Sequence, residues 1–196
     1  ASQAALACQT SAWSVTDGAV AAGDPSADNI ARYQGLCGLE VTGSGFVQDN
    51  SPGGIDRIVA RFYVLNALDS GQSAVVYRGF SDTAGTGFLF TVRVGTNGSV
   101  TLIDNGTGET VVQSGSTKWL SVEIDWAQGN GNGVISLSVN GQSPDVKSLN
   151  NTGSALQAVQ LGNLTGAAGT LGFDSYESRR STAVGRLLRA DANSDG

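Results

Sequence analysis

Apolar side chains recur at every second residue along most of this chain, and asparagine-glycine pairs punctuate the runs. In Ile58-Val59-Ala60-Arg61-Phe62-Tyr63-Val64-Leu65 every even position is apolar. Phe88-Leu89-Phe90-Thr91-Val92-Arg93-Val94 repeats the pattern, with Thr91 and Arg93 on the alternate face. A period of two sends successive side chains to opposite faces of a strand, whereas an amphipathic helix needs 3.6. Ser99 to Asp104, Glu109 to Gln113, Trp119 to Trp126, Val134 to Asn140, Ala158 to Leu161 and Thr170 to Tyr176 read as further strands. Asn97-Gly98, Asn105-Gly106, Asn130-Gly131, Asn132-Gly133 and Asn140-Gly141 separate them, and such pairs readily supply the two positive φ angles of a tight hairpin. The fold class that follows is all-β, an antiparallel β-sandwich or barrel. A short helix or turn fits Ser26 to Gln34, and Thr182 to Arg189 reads as extended or briefly helical.

At 196 residues the chain is most simply one domain with a substantial core. Its net charge of −6 argues against nucleic acid or an anionic membrane as a partner. Histidine is absent, which removes Ser-His-Asp and Cys-His chemistry. Two cysteines without a histidine make a poor zinc or redox site. A single structural disulfide between Cys8 and Cys37 is the better reading, the alternative being two buried free thiols. A disulfide implies an oxidising compartment and therefore export. The opening Ala1-Ser2-Gln3-Ala4-Ala5 looks like a mature N-terminus left by signal cleavage. No run of 18 apolar residues is present, so no membrane-spanning helix is expected.

Several segments in order, Trp119-Leu120-Ser121-Val122-Glu123-Ile124-Asp125-Trp126, Gly133 to Gly141, Val159-Gln160-Leu161-Gly162-Asn163 and Gly169-Thr170-Leu171-Gly172-Phe173-Asp174, resemble the second half of concanavalin-A-like jelly rolls of the laminin-G and pentraxin style. The resemblance covers roughly Ile58 to Ser181. It implies a jelly-roll sandwich. Strand parity independently puts Leu120, Val122, Ile124 and Trp126 in the core against Ile135, Leu137 and Val139, with Glu123 and Asp125 outside. Phe173 to Arg180, followed by Asp191 to Gly196, looks like secreted bacterial proteins in which such a sandwich precedes a dockerin-like calcium repeat. Residues 1–181 are thus expected to form the sandwich, its N-terminal segment tied by Cys8 and Cys37, and residues 182–196 a tail.

That tail carries half a calcium loop. Asp191, Asn193 and Asp195 place oxygen side chains at alternate positions, and Gly196 permits the sharp turn. The carboxylate at loop position 12 is missing, so other groups must complete the shell. Resemblance to laminin-G domains makes Asp174 a further calcium candidate, against its reading as a structural carboxylate that caps backbone N–H groups. Glucanase relatives of the fold carry E-x-D-x-(x)-E, but Ala127 and Gln128 follow Glu123 and Asp125 here, so the third carboxylate is absent and an enzyme is not expected. Trp13, Tyr33, Tyr77, Trp119 and Tyr176 are the aromatics that could stack on a sugar, with Trp119 and Tyr176 the ligand-binding candidates. The expected function is a secreted non-catalytic module for extracellular binding or adhesion, calcium-assisted, with a polysaccharide or a cell-surface or matrix protein as partner. The alternative is a self-assembling subunit of an extracellular fibre or matrix, whose partners are copies of itself.

Overall fold

The computed structural model describes residues 8–23, 30–115 and 118–187, and the regular structure within them is entirely β. Twelve strands follow in chain order: β1 (Val15–Gly23), β2 (Gly38–Asp49), β3 (Arg57–Leu68), β4 (Ser73–Phe80), β5 (Phe88–Gly95), β6 (Ser99–Asp104), β7 (Thr110–Ser114), β8 (Trp119–Ala127), β9 (Gly133–Val139), β10 (Asp145–Leu149), β11 (Ala158–Asn163) and β12 (Gly169–Arg179). They pair antiparallel in the order β10-β9-β8-β3-β12-β2-β11-β4-β5-β6-β7, with β1 against β2. Strand β2 turns the corner. Residues 39–42 pair with β12, whereas residues 45–49 pair with β11. Gly43 sits between the two stretches at φ 71°, a conformation that a side chain disfavours. The sheet thereby folds over itself into two layers, β10-β9-β8-β3-β12 and β11-β4-β5-β6-β7. This is the expected all-β sandwich.

Strand parity fills the space between the layers. Ile58, Ala60, Phe62 and Val64 of β3 and Leu120, Val122, Ile124 and Trp126 of β8 are buried, together with Tyr77, Phe90, Val92 and Leu102 of the other layer. Phe62 meets Tyr77 at 5.4 Å between ring centroids, and Phe90 meets Trp126 at 5.6 Å. Each of the valine, leucine, isoleucine and phenylalanine side chains among them contributes about 1.5–3 kcal/mol by leaving water. Val122, Ile124 and Trp126 register against Val139, Leu137 and Ile135, as the alternation predicts. Gly79 makes room for this packing, because a Cβ there would run into the Phe90 ring. Side chains join the two ends of the sheet: Val139 N donates to Gln113 Oε1 at 2.8 Å, and Lys147 reaches Glu109 at 2.8 Å.

Two features depart from the sequence reading, and a third narrows it. Of the five Asn-Gly pairs, only Asn140-Gly141 has two positive φ angles, 55° and 72°; in the others the asparagine keeps a negative φ, and the connections use different geometry. No helix forms at residues 30–34 or 182–187, and the rest of the two expected segments lies outside the described residues. Phe88 breaks its own alternation. A register shift at Gly79/Phe80 pairs Phe88 with Phe80 and turns it outward, where it is 48% exposed although Phe90 is buried.

The outer face of the first layer is covered by chain. Arg61 is 4% exposed and donates to the Gly185 carbonyl, the Ser175 carbonyl and Glu177. Gly185 N donates to Glu123, and Leu187 N to the Tyr63 hydroxyl. Asp125 takes both nitrogens of the Arg57 fork, at 2.9 and 2.6 Å. Glu123 and Asp125 therefore do face outward, and both are engaged with neighbouring chain.

Candidate functional site

A cleft of about 900 Å³ opens where an N-terminal arm crosses the end of the sandwich. The Cys8–Cys37 disulfide fastens that arm to the segment leading into β2, with a Cα separation of 5.6 Å. Trp13 N bonds back to the Thr10 carbonyl, and Ser14 N to Gln48 O, so the arm turns at Trp13 before entering β1. Gln9 to Trp13 form one wall. Asp49 and Ser51 at the end of β2, and Phe173 to Tyr176 of β12, form the other.

A bulge in β12 shapes that second wall. Its pairing with β3 shifts register between Asp174 and Glu177, and Ser175 adopts φ 51°. A side-chain-bearing residue pays a steric penalty in this region, which persists only where surrounding bonds hold it. The Asp174 carboxylate supplies them. It accepts from Ser175 N at 2.5 Å and Ser175 Oγ at 3.1 Å, and from Tyr33 N at 2.6 Å and Gln34 N at 2.8 Å. Asp174 thus takes the capping role weighed above: it caps backbone N–H groups and holds the bulge. Among the described residues no group of three or more His, Cys, Asp and Glu is placed to hold a metal ion. Asp191, Asn193 and Asp195 lie outside the described residues.

The bulge delivers Tyr176 to the cleft. Its ring packs against Trp13 at 5.1 Å and against Tyr77 at 5.9 Å, and its hydroxyl lies 3.1 Å from that of Tyr77. Burial pushes the Tyr77 phenol well above its usual range, reinforced by the charge and hydrogen bond of Tyr176 and by the charge of Asp49. Burial also raises Tyr176, against hydrogen bonds from Tyr77 and Ser178. Both groups therefore remain neutral phenols around pH 7. They are suited to donate and accept hydrogen bonds, and poorly suited to abstract a proton. Asp49 adds a carboxylate at the rim, steadied by Ser51 N at 2.7 Å and Ser51 Oγ at 2.8 Å.

The two aromatic candidates part company. Tyr176 lines the cleft, whereas Trp119 does not. Trp119 begins β8 opposite Leu65, half-buried, with Tyr33 at 5.9 Å edge-on and Gly172 beneath its ring. Tyr33 in turn stacks on Tyr63 at 3.8 Å. The partnership of Trp13 with Tyr176 and Asp49 had no local signal in the sequence, because a long-range disulfide and a bulge bring them together.

No family model matches the sequence, and no curated protein matches it as a relative. Solved structures do resemble the fold. The cellulose induced protein Cip1 aligns with a TM-score of 0.62 at 13% identity, covering 87% of this chain and 90% of that one. The sialidase of Trypanosoma rangeli aligns at 0.56 with 14% identity, covering 83% of this chain and 28% of that one. The botulinum neurotoxin type G receptor binding domain aligns at 0.54 with 11% identity, covering 83% and 44%. Identities this low show a shared fold and nothing finer. That fold is the jelly-roll β-sandwich.

Proposed function

We propose that this chain is a secreted, non-catalytic β-sandwich module that binds a neutral stretch of glycan in the cleft between Trp13 and Tyr176. The single observation that carries the reading is the juxtaposition of that aromatic pair with the Asp49 carboxylate in a cleft of about 900 Å³. Clefts of this size, walled by aromatic rings and a few fixed polar groups, are the usual form of small-ligand sites. Sugar rings present C–H faces to aromatic rings and hydroxyls to carboxylates, so both halves of the wall have a counterpart in such a ligand. The neutral phenols and the absence of histidine from the sequence favour binding over catalysis. Secretion rests on the Cys8–Cys37 disulfide; no helix among the described residues is long and apolar enough to cross a membrane. The receptor-binding domain and the sialidase among the similar folds are compatible with this reading and carry none of it.

Isothermal titration with neutral oligosaccharides tests the proposal. Trp13→Ala is expected to weaken binding about tenfold or more, as loss of a stacking ring does at a central contact. Trp119→Ala is expected to leave it unchanged. Equal affinities for the native chain and Trp13→Ala would remove the reading. Calcium assistance rests on the Asp191-x-Asn193-x-Asp195-Gly196 pattern alone. Calorimetric calcium titration should give a heat signal in the chain that Asp191→Asn/Asp195→Asn lacks.

Self-assembly would need an open strand edge. Among the described residues β1 pairs with β2 only. Its register shifts between Gly18 and Val20, however, and Gly18 stands at φ 73° beside Asp17. A bulge and a charge are the usual devices that blunt an edge against strand addition; β10 and β7, the two ends of the strand order, are linked to each other by the Lys147–Glu109 pair, and both features favour binding over assembly.

A further inference from the structure

The outer face of the second layer carries a cationic patch that neither the cleft nor the core uses. Register alone sets a polar row across it: Gln48 faces Gln160, Gln160 faces Arg78, and Arg78 faces Thr91. Arg93 follows two positions beyond Thr91 and so shares its face. Gln160 and Gln48 satisfy one another at 2.7 Å, and Gln48 also donates to the Thr83 carbonyl of the loop above. The arginines are different. Among the described residues neither forms an ion pair, and the Arg78 Nε is buried without a partner. Arg93 has one hydrogen bond, to Ser73 Oγ at 3.2 Å.

Two unneutralised guanidinium groups lie diagonally on adjacent strands in a chain whose net charge is −6. Burial, and then the charge of Arg93, lower the pKa of Arg78, and no carboxylate offsets them. The nearest acid in sequence, Asp82, is occupied: Thr86 N, Thr86 Oγ1 and Gly87 N all donate to it. Beside Arg78 lies the outward-turned Phe88. The Arg78 guanidinium rests 4.4 Å above its ring centroid, which fixes the fork in a plane while leaving the ring half-exposed. A half-exposed ring against one planar fork, with a second, exposed fork further along the same face of β5, is a surface for an oxyanion carried on a sugar.

We infer that Arg78, Arg93 and Phe88 form a second binding site, which takes the carboxylate or sulfate of an acidic oligosaccharide. Each fork can grip two oxygens of such a group, and Phe88 supplies the platform for the ring that bears it. Two cations suit one or two acidic groups and fall short of the row of phosphate contacts that nucleic acid binding uses.

The test titrates the full chain with an oligogalacturonate, a sulfated galactan oligosaccharide and a neutral oligosaccharide, at low and physiological salt. Saturable binding of an acidic probe is expected, weakening as salt rises. Arg78→Gln/Arg93→Gln should reduce it about tenfold or more, and Phe88→Ala should reduce it with the charge intact. A preference for uronate identifies the carboxylate as the ligand group, and a preference for the sulfated probe identifies the ester. Melting curves of the variants confirm folding, and Trp13→Ala, which addresses the cleft, should leave acidic binding unaltered. Absence of binding to both acidic probes, or unchanged affinity in a folded double-arginine variant, overturns the inference.

Discussion

Replacing Cys8 and Cys37 together by alanine should lower the unfolding free energy by about 3–4 kcal/mol, because the bond closes a loop with a sequence separation of 29 and removes that freedom from the unfolded chain. The loss is a large part of the 5–15 kcal/mol that usually holds a domain. It falls unevenly. Strand β1 keeps its ladder with β2 from Val15↔Gln48 to Gly23↔Gly38, so the sandwich persists. The arm from Gln9 to Trp13 keeps the turn at Trp13, the contact of its ring with Tyr176 and, at its end, the bonds of Ser14 with Gln48 and Asn50. Glycan affinity should therefore fall more than overall order. Denaturant melts with and without reductant measure the first effect, and titration of the reduced protein measures the second. A reduced chain that binds as tightly as the oxidised one would show that the arm needs no tether.

Asp104→Asn should cost about 3 kcal/mol, an effect of comparable size that originates inside the fold. Asp104 is 1% exposed and collects four donors. Trp126 Nε1 at 2.8 Å and Asn151 Nδ2 at 3.0 Å bond to one oxygen; Thr107 N and Thr107 Oγ1, both at 2.8 Å, bond to the other. An amide offers only one oxygen. Its NH2 must then face either Trp126 Nε1 or the Thr107 N–H, neither of which can accept. At least one buried donor loses its partner, and bonds to a charged acceptor are replaced by weaker neutral ones. Asn151 also ties Gly129 through N–H and carbonyl contacts, so the damage reaches the β8–β9 turn. Urea denaturation reads the shift. A loss below about 1 kcal/mol would mean that this network carries little of the fold's stability.

Strand parity made much of the fold legible. The core faces of β3, β8 and β9 followed from counting alternate residues, since a one-residue slip would expose every one of them. Strands β1, β2, β4 and β10 escaped the same count, each for a physical reason. β1 alternates small residues with little contrast, and Gly43 and Gly45 interrupt β2. Ser73–Phe80 is buried almost throughout, and Asp145–Leu149 is an exposed edge. Phe88 shows the limit most clearly, because a bulge reverses facing without any mark in the local pattern. The candidate site was half legible. Tyr176 and Trp13 were both weighed as sugar platforms, but their contact depends on the arm, the disulfide and the strained Ser175 acting together. Asp174 carried two readings, calcium ligand and capping carboxylate, and the structure shows its bonds to backbone N–H groups at the bulge.

The most direct measurement is a nitrogen-labelled NMR titration of the full chain with a neutral oligosaccharide that binds it. Saturable shifts should gather on Gln9–Trp13, Asp49–Ser51 and Asp174–Tyr176, the two walls of the cleft. Shifts gathered on the outer sheet faces instead, or no saturable shift with any neutral oligosaccharide, would contradict a glycan site between Trp13 and Tyr176.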